Sequence, residues 1–296
     1  MNKKRMEKRR VLITIGLLLT IFLISCSSDP QQYQEVENYK VGTKEVALTF
    51  VQDSPPKEVY QRSKFKVAVE VENLAAYQVE GVTLSLVGAL DQYLQFHDPI
   101  QEVEGIEGSG ILEGRSLTNP QGEKAIVYFD ASAKELFLNA DEQSLSFLAK
   151  VSYRSTVEFS ETVCINPNLY DVYDSGCDVE RKNSYSGQGA PVGVASMEEI
   201  IAPGTGGKVE FRLKVKNKGS GRVKSIDLTT AKLGGKEMRC TFTSTGTTRL
   251  EAVDIDEASV VCEALLDTHS SYATSLFLDF AYDYVSSEKH SLKIIK

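Results

Sequence analysis

The chain has 296 residues, a hydrophobic content of 42% and a formal net charge of −8. The length suits about two domains, and the composition argues against a disordered or fibrous protein. Residues 1–25 carry +5, which leaves −13 on the rest, and so acidic a body repels phosphate backbones and anionic lipid faces. Nucleic acid is therefore not an expected partner.

The N-terminus comes first in chain order. Residues 1–10 hold six basic side chains, residues 11–24 are nearly all apolar, and Ser25-Cys26-Ser27-Ser28 follows. These are the parts of a secretory signal. The apolar run spans about 21 Å as a helix at ~1.5 Å per residue, short of the ~30 Å hydrocarbon core, so a permanent span fits less well. The segment Leu23-Ile24-Ser25-Cys26 resembles the lipobox of bacterial lipoproteins. The resemblance covers residues 1–26 and implies that Cys26 becomes the first mature residue and carries lipid. Each buried methylene adds about 0.8 kcal/mol, so several chains on one Cys anchor stably. An uncleaved helix over 1–25 is the alternative anchor. Residues 26–43 are polar and aperiodic, and read as a tether with a span of roughly 20–25 Å.

From residue 44 the dominant period is two. Phe65, Val67, Val69 and Val71 alternate with mostly charged neighbours, as do Val209, Phe211, Leu213 and Val215. Such alternation marks half-buried antiparallel strands. Strands recur about every ten residues between Gly, Asn, Asp and Ser, which suggests β-sandwiches. The expected fold is all-β: two tandem immunoglobulin-like sandwiches, at 44–163 and 190–296, with a Cys-bounded joint at 164–189. Each sandwich is expected to close with a hairpin. In the first, Phe147, Ala149, Val151 and Tyr153 precede a turn and a last strand with Val157 and Phe159. In the second, Leu276 to Tyr284 precede a turn at Ser286-Ser287-Glu288 and a last strand with Leu292 and Ile294.

The two halves share a repeat. Residues 65–84 match 209–228 at a fixed offset, with Asn73 on Asn217, Val79 on Val223, Val82 on Ile226 and Leu84 on Leu228. The amide of each Asn suits a turn, because it bonds nearby backbone. The segment 208–228 (KVEFRLKVKNKGSGRVKSIDL) resembles the second and third strands of CARDB-type immunoglobulin-like domains, found in secreted and surface proteins of bacteria and archaea. Residues 64–84 are similar, with Leu74-Ala75-Ala76-Tyr77 where that family more often has Gly. The whole chain is similar to an archaeal surface protein of this sort. The resemblance implies seven-stranded sandwiches and a structural or binding role; it marks a fold rather than a chemistry.

Beyond Cys26 the chain has Cys164, Cys177, Cys240 and Cys262. An even number in an exported chain favours disulfides. Pairing Cys164 with Cys177 and Cys240 with Cys262 keeps each bridge within one module. A zinc site would need Cys-x-x-Cys or His at ligand spacing, and neither occurs.

Chemistry is sparse. His97, His269 and His290 stand far apart, and His290, beside the expected final turn, reads as solvent-facing. The run Ala202–Val209 lacks the residues of a phosphate loop and precedes a strand. Residues 105–114 read as a mobile Gly-rich loop. Asp254, Asp256 and Glu257 form an acidic loop that could hold calcium, though a solvated turn is the simpler reading. Tyr170, Tyr173 and Tyr185 line the joint and suit either recognition or the packing of one domain on the other. No Asn-x-Ser/Thr sequon is present. The expected protein is a non-enzymatic surface lipoprotein without cofactor, held at the outer face of the membrane by its N-terminus. Its role would be docking an envelope protein or a polysaccharide. The alternative is an accessory subunit of a membrane secretion or appendage complex, and a carbohydrate-active enzyme is least expected.

Overall fold

Alternating apolar residues become strands throughout. The computed structural model describes residues 38–137, 139–167, 176–202, 207–266 and 270–296, and among them there is no helix. In the first half run β1 (Val46–Phe50), β2 (Glu58–Tyr60), β3 (Lys64–Asn73), β4 (Val79–Val87), β5 (Leu94–His97), β6 (Ile100–Glu102), β7 (Lys124–Ala133) and β8 (Glu142–Ile165). In the second run β9 (Lys182–Ser184), β10 (Val192–Ala202), β11 (Lys208–Asn217), β12 (Arg222–Leu233), β13 (Lys236–Glu237), β14 (Arg239–Phe242), β15 (Arg249–Glu251), β16 (Glu257–Leu265) and β17 (Tyr272–Ile295). The signal or anchor expected at 1–25, with Cys26, lies outside the described residues.

The repeat has a common local structure. The Asn73 Oδ1 accepts the Ala75 N–H at 3.1 Å, and its Nδ2 donates to the Tyr77 carbonyl at 2.9 Å. Asn217 does the same with the Gly219 N–H at 3.1 Å and the Gly221 carbonyl at 2.7 Å. After each turn, two buried residues stand three apart instead of two: Val79 and Val82, then Val223 and Ile226. A bulge in each strand, within Glu80–Thr83 of β4 and Val223–Ser225 of β12, inserts the extra residue and keeps both side chains on the inner face.

Three sheets result. One has the order β1-β3-β7-β5, a second β14-β16-β11-β10-β9, and the third β13-β12-β17-β8-β4-β6, with β15 added to β12 and β2 to β17. The third sheet is shared. Its spine is β8 against β17, antiparallel in unbroken register from Glu142↔Ile295 to Ile165↔Tyr272. β4 pairs with β8 over Leu148–Ser155, and β12 pairs with β17 over Leu276–Val285.

Neither closing hairpin forms. The residues expected to turn after Tyr153, and Ser286-Ser287-Glu288, lie inside two 24-residue strands. Each long strand begins in its own sandwich and ends as the last strand of the other. The end of β17 also takes β2 in parallel at Lys293–Ile295. The boundaries 44–163 and 190–296 therefore need correcting: residues 286–295 complete the first sandwich, and the end of β8 completes the second.

The inner face of this spine is continuous. Along β8 the odd positions from Leu145 to Phe159 are buried, and along β17 the even positions from Leu276 to Ser286. Phe147 meets Phe50 of β1 at 5.6 Å and Phe96 of β5 at 5.1 Å between ring centroids. Phe159 meets Tyr185 at 4.9 Å. The two facing sheets thus cover one spine at different places, and Asn38–Lys296 hold together as one unit with one apolar cluster.

Two further expectations change. Residues 38–43, expected to belong to the tether at 26–43, are held to the fold: Lys40 pairs with Glu158 and the Gly42 carbonyl accepts the Gly189 N–H at 2.9 Å, while 26–37 lie outside the described residues. The loop at 105–114 is pinned rather than free. Leu112 is fully buried and bonds Val79 in both directions, while the buried Glu123 carboxylate accepts the Ile106 and Glu113 N–H groups.

Candidate functional site

The joint holds the most chemistry that the fold does not consume. Cys164, at the end of β8, is bonded to Cys177, with Cα atoms 5.8 Å apart. The bridge folds the chain back, so that β9 pairs with β10 as an edge strand. Cys240 on β14 is bonded to Cys262, its direct partner on β16, across 4.0 Å between Cα atoms. That bridge fixes the outer edge of the second facing sheet.

Beside the Cys164–Cys177 bridge lies a cavity of about 270 Å³. Glu161 of β8, Asp178 and Glu180 after the bridge, Asn183 of β9 and Glu199 of β10 line it. Glu199 stands out. It follows Met197 and precedes Ile201 on the inward face of β10, and is 4% exposed. Its Oε1 has no hydrogen-bond partner among the described residues. Burial pushes its carboxyl up to about 7, because water is removed from the charged form. Among the described residues, none of the four carboxylates of this cavity makes an ion pair, although Glu161 Oε1 accepts the Thr162 N–H at 3.2 Å. The Asn183 amide, turned so that its nitrogen faces Glu180, donates to Oε2 at 3.0 Å. Sequence reasoning passed over Glu199; the available signal was a carboxylate on the apolar phase of a strand.

The residues singled out from sequence fall elsewhere or only partly here. Asp254 and Asp256 are exposed in the loop before β16, and Glu257 opens the strand. Hydrogen bonds from Lys216 and Lys214, at 2.8 and 2.9 Å, hold the Glu257 carboxyl down to about 2. Among the described residues no three Asp, Glu, His or Cys side chains are placed to hold a metal ion. Tyr185 packs on Phe159, and its carbonyl accepts the Lys218 ammonium at 2.7 Å, so it joins the facing sheet to the spine. Tyr170, Tyr173 and His269 lie outside the described residues.

His290 is not solvent-facing. Because β17 continues through the expected turn, position 290 falls on its inward face, 4.6 Å from Phe50 and 5.6 Å from Phe147. Desolvation lowers its pKa. His97 on β5 is exposed, with Nε2 3.4 Å from the Ser132 hydroxyl.

Fold and site define an all-β protein of two sandwiches fused through one sheet, with a disulfide-clasped acidic joint. No family model and no curated protein matches the chain. Among solved structures, it is similar to a type II cohesin dyad from the adaptor ScaA scaffoldin of Acetivibrio cellulolyticus. That match has 9% identity and covers 82% of this chain and 85% of that one, with a TM-score of 0.19. A likeness of that size carries no argument about function.

Proposed function

We propose that the chain is a non-enzymatic surface lipoprotein, anchored through Cys26, whose fused sandwiches form a docking module for another envelope protein or a polysaccharide. The observation that carries the reading is the fused spine: two sandwiches that complete each other make a stiff body suited to holding partners at a distance from a membrane. Two disulfides support an oxidising compartment. The lipobox-like segment supports the anchor.

The test is made on intact cells. Cys26→Ser is expected to release the protein from the membrane fraction, and crosslinking of the wild type is expected to enrich one envelope component. Mature protein retaining Met1–Ser25, or membrane retention unchanged in Cys26→Ser, contradicts the anchor.

A second reading, an accessory subunit of a secretion or appendage complex, draws on one feature. β1 is an edge strand of its sheet, and among the described residues Ser286–Leu292 of β17 lack a second neighbour between β12 and β2. Free edges of this kind accept an added strand. A single dominant crosslink from Leu48 or Ser287 to one membrane protein favours it; a polymer ligand favours the first reading.

A further inference from the structure

We propose that the cavity beside the Cys164–Cys177 bridge is a binding site for an organic cation, the guanidinium tip of an arginine side chain presented by a partner. The proposal is independent of the anchor and of the docking reading, because the purified chain can be tested alone.

Three observations carry it. The first is the placement of Glu199. Every other inward residue of β10 (Val192, Val194, Met197 and Ile201) is apolar, as a strand packed on a core requires. A carboxylate there breaks the local rule, and such breaks concentrate at functional sites. The second is the absence of a partner. A buried carboxyl needs a donor or a counter-charge, and among the described residues Oε1 has neither. The third is the company it keeps. Glu161 of β8 and Asp178 and Glu180 of the stretch after the bridge line the same cavity.

The kind of cation follows from the spread of these groups. A metal ion needs three or more ligand atoms converging within about 2–2.6 Å. No three acidic, His or Cys groups converge in this way among the described residues. A guanidinium is planar, always charged and presents five N–H donors in a fork, so it can serve carboxylates arranged around it. A cavity of about 270 Å³ has room for such a group. Asp178 and Glu180 are exposed, so the mouth is acidic and open to solvent.

The ionisation of Glu199 supplies a readout. With its pKa near 7, the carboxyl is about half protonated at pH 7. A bound cation holds it ionised, so binding should release about half a proton per site. The experiment is calorimetric titration of the full chain at pH 7 with ethylguanidinium chloride, run in two buffers of different ionisation enthalpy. Calcium chloride is titrated in parallel. The expected result is saturable ethylguanidinium binding with that proton release, at least tenfold weaker in Glu199→Gln and weaker again in Glu199→Gln/Glu180→Gln. A single cooperative melting transition well above the titration temperature in both variants keeps the comparison valid, and the exposed single variant Glu180→Gln serves if Glu199→Gln fails to fold. No saturable heat, binding unaffected by these substitutions, or saturable calcium binding in place of ethylguanidinium would overturn the proposal.

Discussion

Asn73 and Asn217 show how much one side chain can fix. Each closes a turn by accepting from the N–H two residues on and donating to the carbonyl four residues on. Asn73 is fully buried and also donates to the Leu112 carbonyl at 3.0 Å, so it ties the pinned loop to the turn. Asn73→Ala would take away the side-chain partner of the Tyr77 carbonyl and of the Ala75 N–H and one of the two donors to the Leu112 carbonyl, and should cost about 3 kcal/mol; Asn217→Ala should cost about 1 kcal/mol. Denaturant unfolding of both variants checks the order. Two groups set opposing pH dependences. His290 has a folded pKa below its unfolded value, so the unfolded chain takes up the proton first as pH falls. Its contribution is intact above about pH 6.5 and is lost below it. Glu199 has a folded pKa raised to about 7, so its contribution is intact below about pH 4.5 and is lost as pH rises through 7, by about 3 kcal/mol in all. Melting curves from pH 5 to 8 should therefore show a weaker acid loss in His290→Phe and a weaker alkaline loss in Glu199→Gln. The Asn turns were legible because an amide after an apolar strand has few other uses. His290 was not, since its environment depends on where a strand ends.

At the scale of elements, the spine decides the architecture. Alternation made β3, β4, β11 and β12 readable, and the repeated Asn fixed the turns between them. The continuity of β8 and β17 was hidden for a physical reason. Each strand crosses from beneath one facing sheet to beneath the other, and at the crossing a polar residue takes an inward position, Ser155 on β8 and Ser286 on β17. Ser286 is buried there, but Glu288 is exposed although it lies on the inward phase. A lapse in apolar alternation reads in sequence like a turn. The crossing is held by other means. Arg154 of β8 donates to Asp227 of β12 at 2.6 Å and to Asp283 of β17 at 3.1 Å, and Arg249 of β15 binds Asp227 from the other side. Tyr284 donates to Glu45 and accepts the Gly221 N–H at 2.8 Å. A proline at Ser155 or Glu288 would remove an N–H that faces the partner strand of the β8–β17 ladder and bend it, a loss of about 3 kcal/mol or more. Were either site a turn, proline would be tolerated, and thermal unfolding separates the two.

For the whole molecule, exchange of the last strands means that neither sandwich is complete alone. Each long strand supplies the other half with a row of inward side chains, Val157 and Phe159 in one direction and His290, Leu292 and Ile294 in the other. Chains of residues 38–189 and 190–296 produced separately should fail to give folded monomers, and should recover β-structure on mixing, as in domain swapping within one chain. Unfolding of the intact protein should be a single transition, because one core serves both sandwiches. The exchange itself is tested most directly by Ser146→Cys with Ser291→Cys. These residues are register partners across β8 and β17, with hydroxyls 3.2 Å apart. Peptide mapping without reduction should find a new disulfide joining the two substituted positions in a folded, monomeric protein. Two free thiols at these sites, with a bridge forming instead between cysteines placed at Ser152 and Glu158, would mean that each sandwich closes on its own hairpin.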